Sequence, residues 1–325
     1  MISLLAPGQG AQSPGMLAPW LALRGAQQRI AAWSEIVGLD LRRLGTTATA
    51  DEIKDTAVTQ PLVVALSLLA AAELALRMDL PTDAPVVGHS VGELTAAAVA
   101  GVLTAEEAVG FAAVRGQEMA GACALEPTGM SAVLGGDPDD VMAVLAELGL
   151  EPANYNGAGQ IVVAGCLDAL ATLAAHRPAR TRVMPLPVAG AFHTPFMASA
   201  QHALARYATL LTAKQPARPL LSNADGEVVD DGTEMLHRLV TQVTRPVRWD
   251  SCMATLGALA VTATVELPPA GTLSGLVKRD MRGTATLVLK TPEDLDKVAG
   301  LIRDQFGAAR GGPDHSGADL SGTLV

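Results

Sequence analysis

Cysteine is scarce. The 325-residue chain has three, Cys123, Cys166 and Cys252, far apart and with no Cys-X-X-Cys pair. That spacing offers neither a disulfide framework nor a zinc site, and it suits a reducing cytoplasm. Aromatic residues make up only 3%, so the core is expected to rest on small aliphatics. Basic charge is in deficit: 23 Lys and Arg stand against 33 Asp and Glu, for a net charge of −10. Binding to a phosphate backbone needs a basic field, so nucleic acid is excluded as a main partner. The longest apolar run, Pro61 to Ala72, stops at Glu73. It is shorter than a membrane span and predicts a buried helix and no membrane partner. The start, Met1 to Ala6, has no basic segment before its apolar residues and reads as a strand, not a signal peptide.

What is present is a globular composition, 49% hydrophobic and 17% charged. The chain is organised around Gly88-His89-Ser90-Val91-Gly92-Glu93. Ala84 to Val87 before it reads as a buried strand end, and Leu94 to Ala100 after it as a helix. A Gly-X-Ser-X-Gly between strand and helix is a nucleophile elbow. The turn is tight, so Gly88 and Gly92 remove side chains that would clash. Ser90 is pushed outward, and the N–H of Val91, at the helix start, points where an oxyanion would form.

Taken in order, Ile2 to Ala6 is a strand running into Pro7-Gly8-Gln9-Gly10-Ala11-Gln12. That loop lacks the Lys-Ser/Thr of a phosphate loop, but its glycines allow close backbone approach to a ligand, with Gln9 between them. Mixed helical patterns fill 17–57, and Thr59-Gln60-Pro61 starts the apolar helix. In the helix after Thr104, Ala108, Phe111, Ala112, Arg115 and Met119 share one stripe. Arg115 there either snorkels to the edge or is held inside to meet a carboxylate with its planar fork. From Thr128 to Pro187 the pattern reads β-α-β-β-α-β, a ferredoxin-like unit. Leu220 to Asn223 reads as a strand end, Val261 to Leu267 as the last clear strand, and Asp294 to Phe306 as a helix. The expected architecture is α/β: a discontinuous large domain over 1–126 and 188–306, a small domain inserted at 127–187, and a disordered tail at 307–325.

A serine hydroxyl needs a base. His89 adjoins Ser90 and should leave the elbow in another direction, as a wall of the site. His176, His202 and His237 lie in amphipathic helices, and His315 lies in the tail. His193 stands where the chain leaves the small domain, at the expected cleft, and is the choice for base. No acidic residue is an obvious third member. Asp137, Asp139, Asp140, Glu147 and Asp168 read as small-domain surface, and Asp250 and Glu266 lack a telling context. The residues alone yield a Ser-His pair with an unassigned orienting group.

From Ile2 to about Phe306 the chain resembles the malonyl-CoA:acyl carrier protein transacylase family, which is related to polyketide synthase acyltransferase domains. The resemblance rests on Pro7 to Gln12, Gly88 to Glu93, Arg115-Gly116-Gln117-Glu118-Met119, Asn154-Tyr155-Asn156 with Gly159-Gln160-Ile161-Val162, Gly190-Ala191-Phe192-His193, and Gln242 through Pro246-Val247-Arg248-Trp249. It most resembles discrete transacylases of actinobacterial type. It implies an α/β-hydrolase-like large domain beside the ferredoxin-like one. It implies that Ser90 is acylated by malonyl-CoA with His193 as base and later acid, and that the N–H groups of Gln9 and Val91 form the oxyanion hole. Arg115 would grip the malonyl carboxylate, and the Gln242 carbonyl would orient His193. Gly190 to His193 looks like the malonyl type, with Phe192 filling the space a branching methyl needs. Three positions depart from the pattern: Tyr155, Thr194, and Leu267-Pro268-Pro269-Ala270 in place of Gly-Pro-Gly.

The function implied is transfer of malonyl from the coenzyme A thioester to the phosphopantetheine thiol of acyl carrier protein, for fatty-acid or polyketide synthesis. It proceeds through malonyl-Ser90 with no bound cofactor or metal. The acidic carrier would need a basic patch, drawn from Arg177, Arg180 and Arg182 or from Lys278, Arg279 and Arg282. The alternatives are a serine thioesterase or hydrolase, an acyltransferase for a different extender group, and a carrier-docking scaffold. Arg115 and the missing acid favour transfer.

Overall fold

The computed structural model describes residues 1–304; the tail expected at 307–325 and the helix end expected at Phe306 lie outside the described residues. The chain opens with β1 (Ile2–Ala6), buried at all five positions. Next come α1 (Ala26–Val37), α2 (Leu41–Thr46), α3 (Thr56–Ala75), β2 (Val86–Gly88), α4 (Gly92–Val99) and α5 (Ala105–Cys123). A second group follows: β3 (Thr128–Gly135), α6 (Pro138–Glu147), β4 (Glu151–Tyr155), β5 (Gln160–Cys166), α7 (Leu167–Ala175) and β6 (Thr181–Pro185). The chain then returns through α8 (Ala198–Ala208), α9 (Gly232–Thr241), β7 (Val247–Arg248), α10 (Trp249–Ala258), β8 (Ala263–Glu266), α11 (Thr272–Asp280), β9 (Ala285–Val288) and α12 (Glu293–Ile302).

This is a mixed α/β fold with two sheets. The first runs β2-β1-β8-β9, every pair parallel. Strands buried on both faces tolerate continuous apolar runs, which is why Ile2 to Ala6 shows no alternation. Register pairs Ala6 with Gly88. The loops leaving β1 and β2 therefore emerge side by side at the carboxyl ends of the strands, where open parallel sheets bind ligands. The second sheet runs β6-β3-β5-β4-β7; its first three pairs are antiparallel, and β7 joins β4 in parallel. The two-residue β7 thus carries the return segment onto the edge of this sheet.

Four local readings change. The helix α3 starts at Thr56 rather than Thr59, because Asp55 caps it by accepting the Ala57 N–H. At 20 residues α3 is long and apolar enough to cross a membrane by length and composition, and 78% of its apolar window is buried inside the protein. Its burial, not its shortness, marks it as a core helix. Leu220 to Asn223 forms only isolated bridges, Leu220 with Val86 and Leu221 with Val228. The helix α10 stands where the local sequence predicts no element; Trp249, Cys252, Met253 and Leu256 form its buried face.

One contact between helices prepares the site. A Cβ on Gly116 would stand 2.6 Å from the Thr56 carbonyl oxygen. Only glycine lets α5 lie this close to α3, and the approach brings Arg115 against Gln60.

Candidate active site

The elbow is strained where function needs it. Ser90 adopts φ of 53°, a left-handed conformation that costs a non-glycine residue on the order of 1–3 kcal/mol. A Cβ on Gly88 would strike the Gly92 backbone, and one on Gly92 would strike the Ala6 carbonyl. Asn223 holds the turn from outside. Its Oδ1 accepts the Ser90 N–H at 2.8 Å, and its Nδ2 donates to the Gly88 carbonyl at 2.7 Å. The N–H of Val91, the N-cap of α4, has no acceptor among the described residues, and neither has that of Gln9. Gln9 itself is anchored by its side chain, which donates to Thr56 Oγ1 at 3.1 Å.

His193 reaches the elbow from the segment after β6. Its Nε2 lies 2.8 Å from Ser90 Oγ, and its Nδ1 lies 2.9 Å from the main-chain oxygen of Gln242. A carbonyl can only accept, so Nδ1 carries the proton and Nε2 is left to accept from the serine. His193 is 4% exposed. Burial, and then the nearby Arg115 guanidinium, push its pKa down to about 3. It is therefore neutral at pH 7, as a base must be.

Arg115, whose direction the sequence left open, is held inside: it is 2% exposed. One terminal nitrogen donates to Gln60 Oε1 at 2.7 Å. The other donates to Gln242 Oε1 at 2.8 Å and to Ser90 Oγ at 3.3 Å. Both amide partners are neutral, and among the described residues Arg115 forms no ion pair. Burial lowers its pKa to about 10, with Glu93 pulling it back up, so it stays charged. A buried cation with neutral partners, touching the nucleophile, is prepared for an anionic ligand.

Glu93 lies beneath. Its carboxyl accepts the Asn223 N–H on one oxygen and the Gln242 side-chain amide on the other. Burial pushes its pKa up to about 8, against the pull of those donors and Arg115. His89 turns away from Ser90. Its Nε2 is 3.0 Å from Asn156 Oδ1, and its ring lies 5.5 Å from that of Trp249. Asp250 is engaged by Arg248 at 2.9 Å, and Glu266 accepts the N–H groups of Leu273 and Ser274 at the start of α11. Neither orients His193.

Ser90, His193, Arg115, Gln9, His89 and Phe192 line one cavity of about 580 Å³ between the two sheets, with Met130, Val162 and Leu276 as apolar wall. The structure thus gathers every singled-out site residue except Val91 and Gln242 on the cavity wall, and those two lie directly behind it. Arg279 reaches the cavity mouth and donates to Gln160 Oε1 at 3.1 Å. His176, His202 and His237 are exposed and remote from the cavity lining. Sequence reasoning missed Gln60, Asn223 and the part played by Glu93. Gln60 had a signal, a polar residue at the head of the longest apolar run. Asn223, beyond a two-bridge segment, had none.

Known proteins resemble this chain over most of its length. The chain matches the family described as "Acyl transferase domain" over residues 4–312. It is 57% identical over 302 residues to the malonyl CoA-acyl carrier protein transacylase of Mycobacterium tuberculosis, covering 93% of this chain and 100% of that one. It superposes on the crystal structure of MCAT from the same organism with a TM-score of 0.89 at 56% identity, covering 92% of this chain and 99% of that one. A third likeness is to a structure described as a type II PKS acyl-carrier protein in complex with its malonyl-transacylase, with a TM-score of 0.85 at 27% identity, covering 92% and 99%.

Proposed function

The chain belongs to the acyl transferase family, and from that premise we infer its reaction: it is an enzyme that transfers malonyl from malonyl-CoA to the thiol of an acyl carrier protein. The observation that carries the assignment is the Arg115 guanidinium 3.3 Å from the Ser90 hydroxyl. A hydroxyl nucleophile beside a buried cation without a carboxylate suits an acyl group with a free carboxylate at its far end.

The mechanism we propose is ping-pong. His193 Nε2 takes the Ser90 proton as Oγ attacks the thioester carbonyl. The N–H groups of Gln9 and Val91, both without acceptors among the described residues, hold the oxyanion. The C–S bond breaks, and His193 returns the proton to the departing CoA sulfur. The carrier's pantetheine thiol then gives its proton to His193, and its sulfur attacks malonyl-Ser90. The Ser90 ester oxygen leaves with that proton. The Gln242 main-chain oxygen keeps Nδ1 protonated throughout. Arg115 binds the malonyl carboxylate, and Phe192 and His89 wall the acyl pocket. Each step is carried by side chains and backbone amides, so the reaction as written calls for no bound cofactor.

We read the first sheet and its helices, 1–126 and 188–306, as an α/β-hydrolase-like domain. Residues 127–187 we read as a ferredoxin-like insertion, supported by the β6-β3-β5-β4 order. A reducing cytoplasm suits the three unpaired cysteines. The test is direct: purified chain, malonyl-CoA and carrier protein bearing its phosphopantetheine should yield malonyl-carrier, followed by mass. Loading of acetyl in preference to malonyl would contradict the assignment.

A further inference from the structure

The side chain of Gln242 has two faces and can turn about its last bond. Its Oε1 meets Arg115 at 2.8 Å, whereas its Nε2 meets the Glu93 carboxyl, the Ser90 carbonyl at 3.1 Å and Asn223 Oδ1 at 3.4 Å. Turned the other way, it would point an NH₂ group at a guanidinium, donor against donor. Besides that clash and the Ser90 carbonyl, what opposes the turn is the carboxyl of Glu93, buried at the start of α4. Both of its oxygens are used, one by Asn223 N–H and one by Gln242 Nε2.

We propose that Glu93 is a positioning residue for acyl selectivity: by holding the Gln242 amide in one orientation, it keeps Oε1 on Arg115 and the guanidinium aimed at the acyl carboxylate. The effect is separable from the Ser90-His193 pair. His193 is oriented by the main-chain oxygen of Gln242, which does not depend on how the side-chain amide is turned. A carboxamide at position 93 has the same shape, but its nitrogen cannot accept, whereas either oxygen of a carboxyl can, protonated or not. It can take Asn223 N–H or Gln242 Nε2 as before, and must present NH₂ to the other. Where the NH₂ faces Gln242, its Nε2 keeps only the Ser90 carbonyl at 3.1 Å and the weaker contact to Asn223 at 3.4 Å, so the amide that meets Arg115 is held less firmly.

The inference rests on the transferase reading above, and the two fail differently. If the wild-type chain transfers no malonyl, the reading fails. If wild type transfers malonyl and the variants below keep its selectivity, only the role of Glu93 fails. The experiment compares malonyl-CoA and acetyl-CoA as donors for wild type and Glu93→Gln, with fluorophosphonate labelling of Ser90 to report the nucleophile. Malonyl kcat/KM should fall about tenfold or more, as for loss of a hydrogen bond to a charged group. Acetyl transfer and labelling should stay within about threefold. Equal loss of both donors, or loss of neither, overturns the proposal. If Glu93→Gln does not fold, Gln242→Met decides, since it removes the amide and leaves the main-chain carbonyl. It must lower the malonyl-to-acetyl ratio, and an unchanged ratio overturns the proposal. Where both variants fold, adding Glu93→Gln to Gln242→Met should change the ratio no further; an added independent loss contradicts action through the amide.

Discussion

Nδ1 of His193 lies 2.9 Å from the main-chain oxygen of Gln242. A backbone dipole therefore occupies the place that a carboxylate takes in a Ser-His-Asp arrangement. It fixes the tautomer without adding a negative charge. The consequence is that no acid should be needed. Asp250→Asn should leave malonyl transfer within about twofold, because that carboxylate serves Arg248. His193→Ala should lower kcat by about 10²–10⁴-fold, the usual range for removing a general base. Steady-state rates for the two variants check this, and a collapse in Asp250→Asn would reveal a missed third member.

The pH profile should show the same environment. His193 is shifted down to about 3 by burial and Arg115. An imidazole with its ordinary pKa would lose base function below pH 6.5. Here the acid limb of kcat/KM should fall well below pH 6. The same shift has a stability cost. Between pH 6.5 and about 3 the unfolded chain binds a proton on this residue and the folded chain does not, so stability declines as pH falls through that window. A limb at pH 6.5 or above would contradict the assignment of a dry, neutral His193.

Glu93 runs the other way. Its pKa is raised from 4.5 to about 8, chiefly by burial. The folded state keeps a proton that the unfolded state loses, so this group's contribution is full below pH 4.5 and is lost as pH rises towards 8. Thermal melts of the wild type should decline over that range, and Glu93→Gln should flatten the decline. An equal slope in both proteins would contradict the shift.

Arg115→Ala removes the only cation that touches Ser90 among the described residues. Malonyl transfer should drop by about a hundredfold or more, since a charge-assisted pair is lost at a buried guanidinium. Acetyl transfer should persist or rise, because acetyl has no carboxylate to place. Parallel rates with the two acyl-CoA donors check it, and equal loss with both would refute a carboxylate-binding role.

The readable part of this site was the part written in local sequence. The elbow announces itself because glycine is required at Gly88 and Gly92 on steric grounds. Arg115 stood out as a cation inside an apolar helical stripe, although only packing against Gln60 settles which way it points. Asn223 and β7 were not legible. Asn223 matters because it meets Ser90 across 133 positions, and β7 is a strand only because Val247 pairs with Asn154. The helix over 249–258 escaped for a related reason: its buried face is defined by the cluster it joins, Leu5, Val87 and Leu273 among others. The expected β-α-β-β-α-β run was easier, since its strands and helices alternate over short spans with their own caps, such as Asp137.

The central claim is that Ser90 keeps the acyl group for a thiol and does not pass it to water. Intact mass after mixing the chain with malonyl-CoA, with no carrier present, tests it most directly. The account predicts one lasting malonyl adduct, absent in Ser90→Ala and discharged when carrier bearing its phosphopantetheine is added. Turnover to free malonate with no adduct on Ser90 would contradict it.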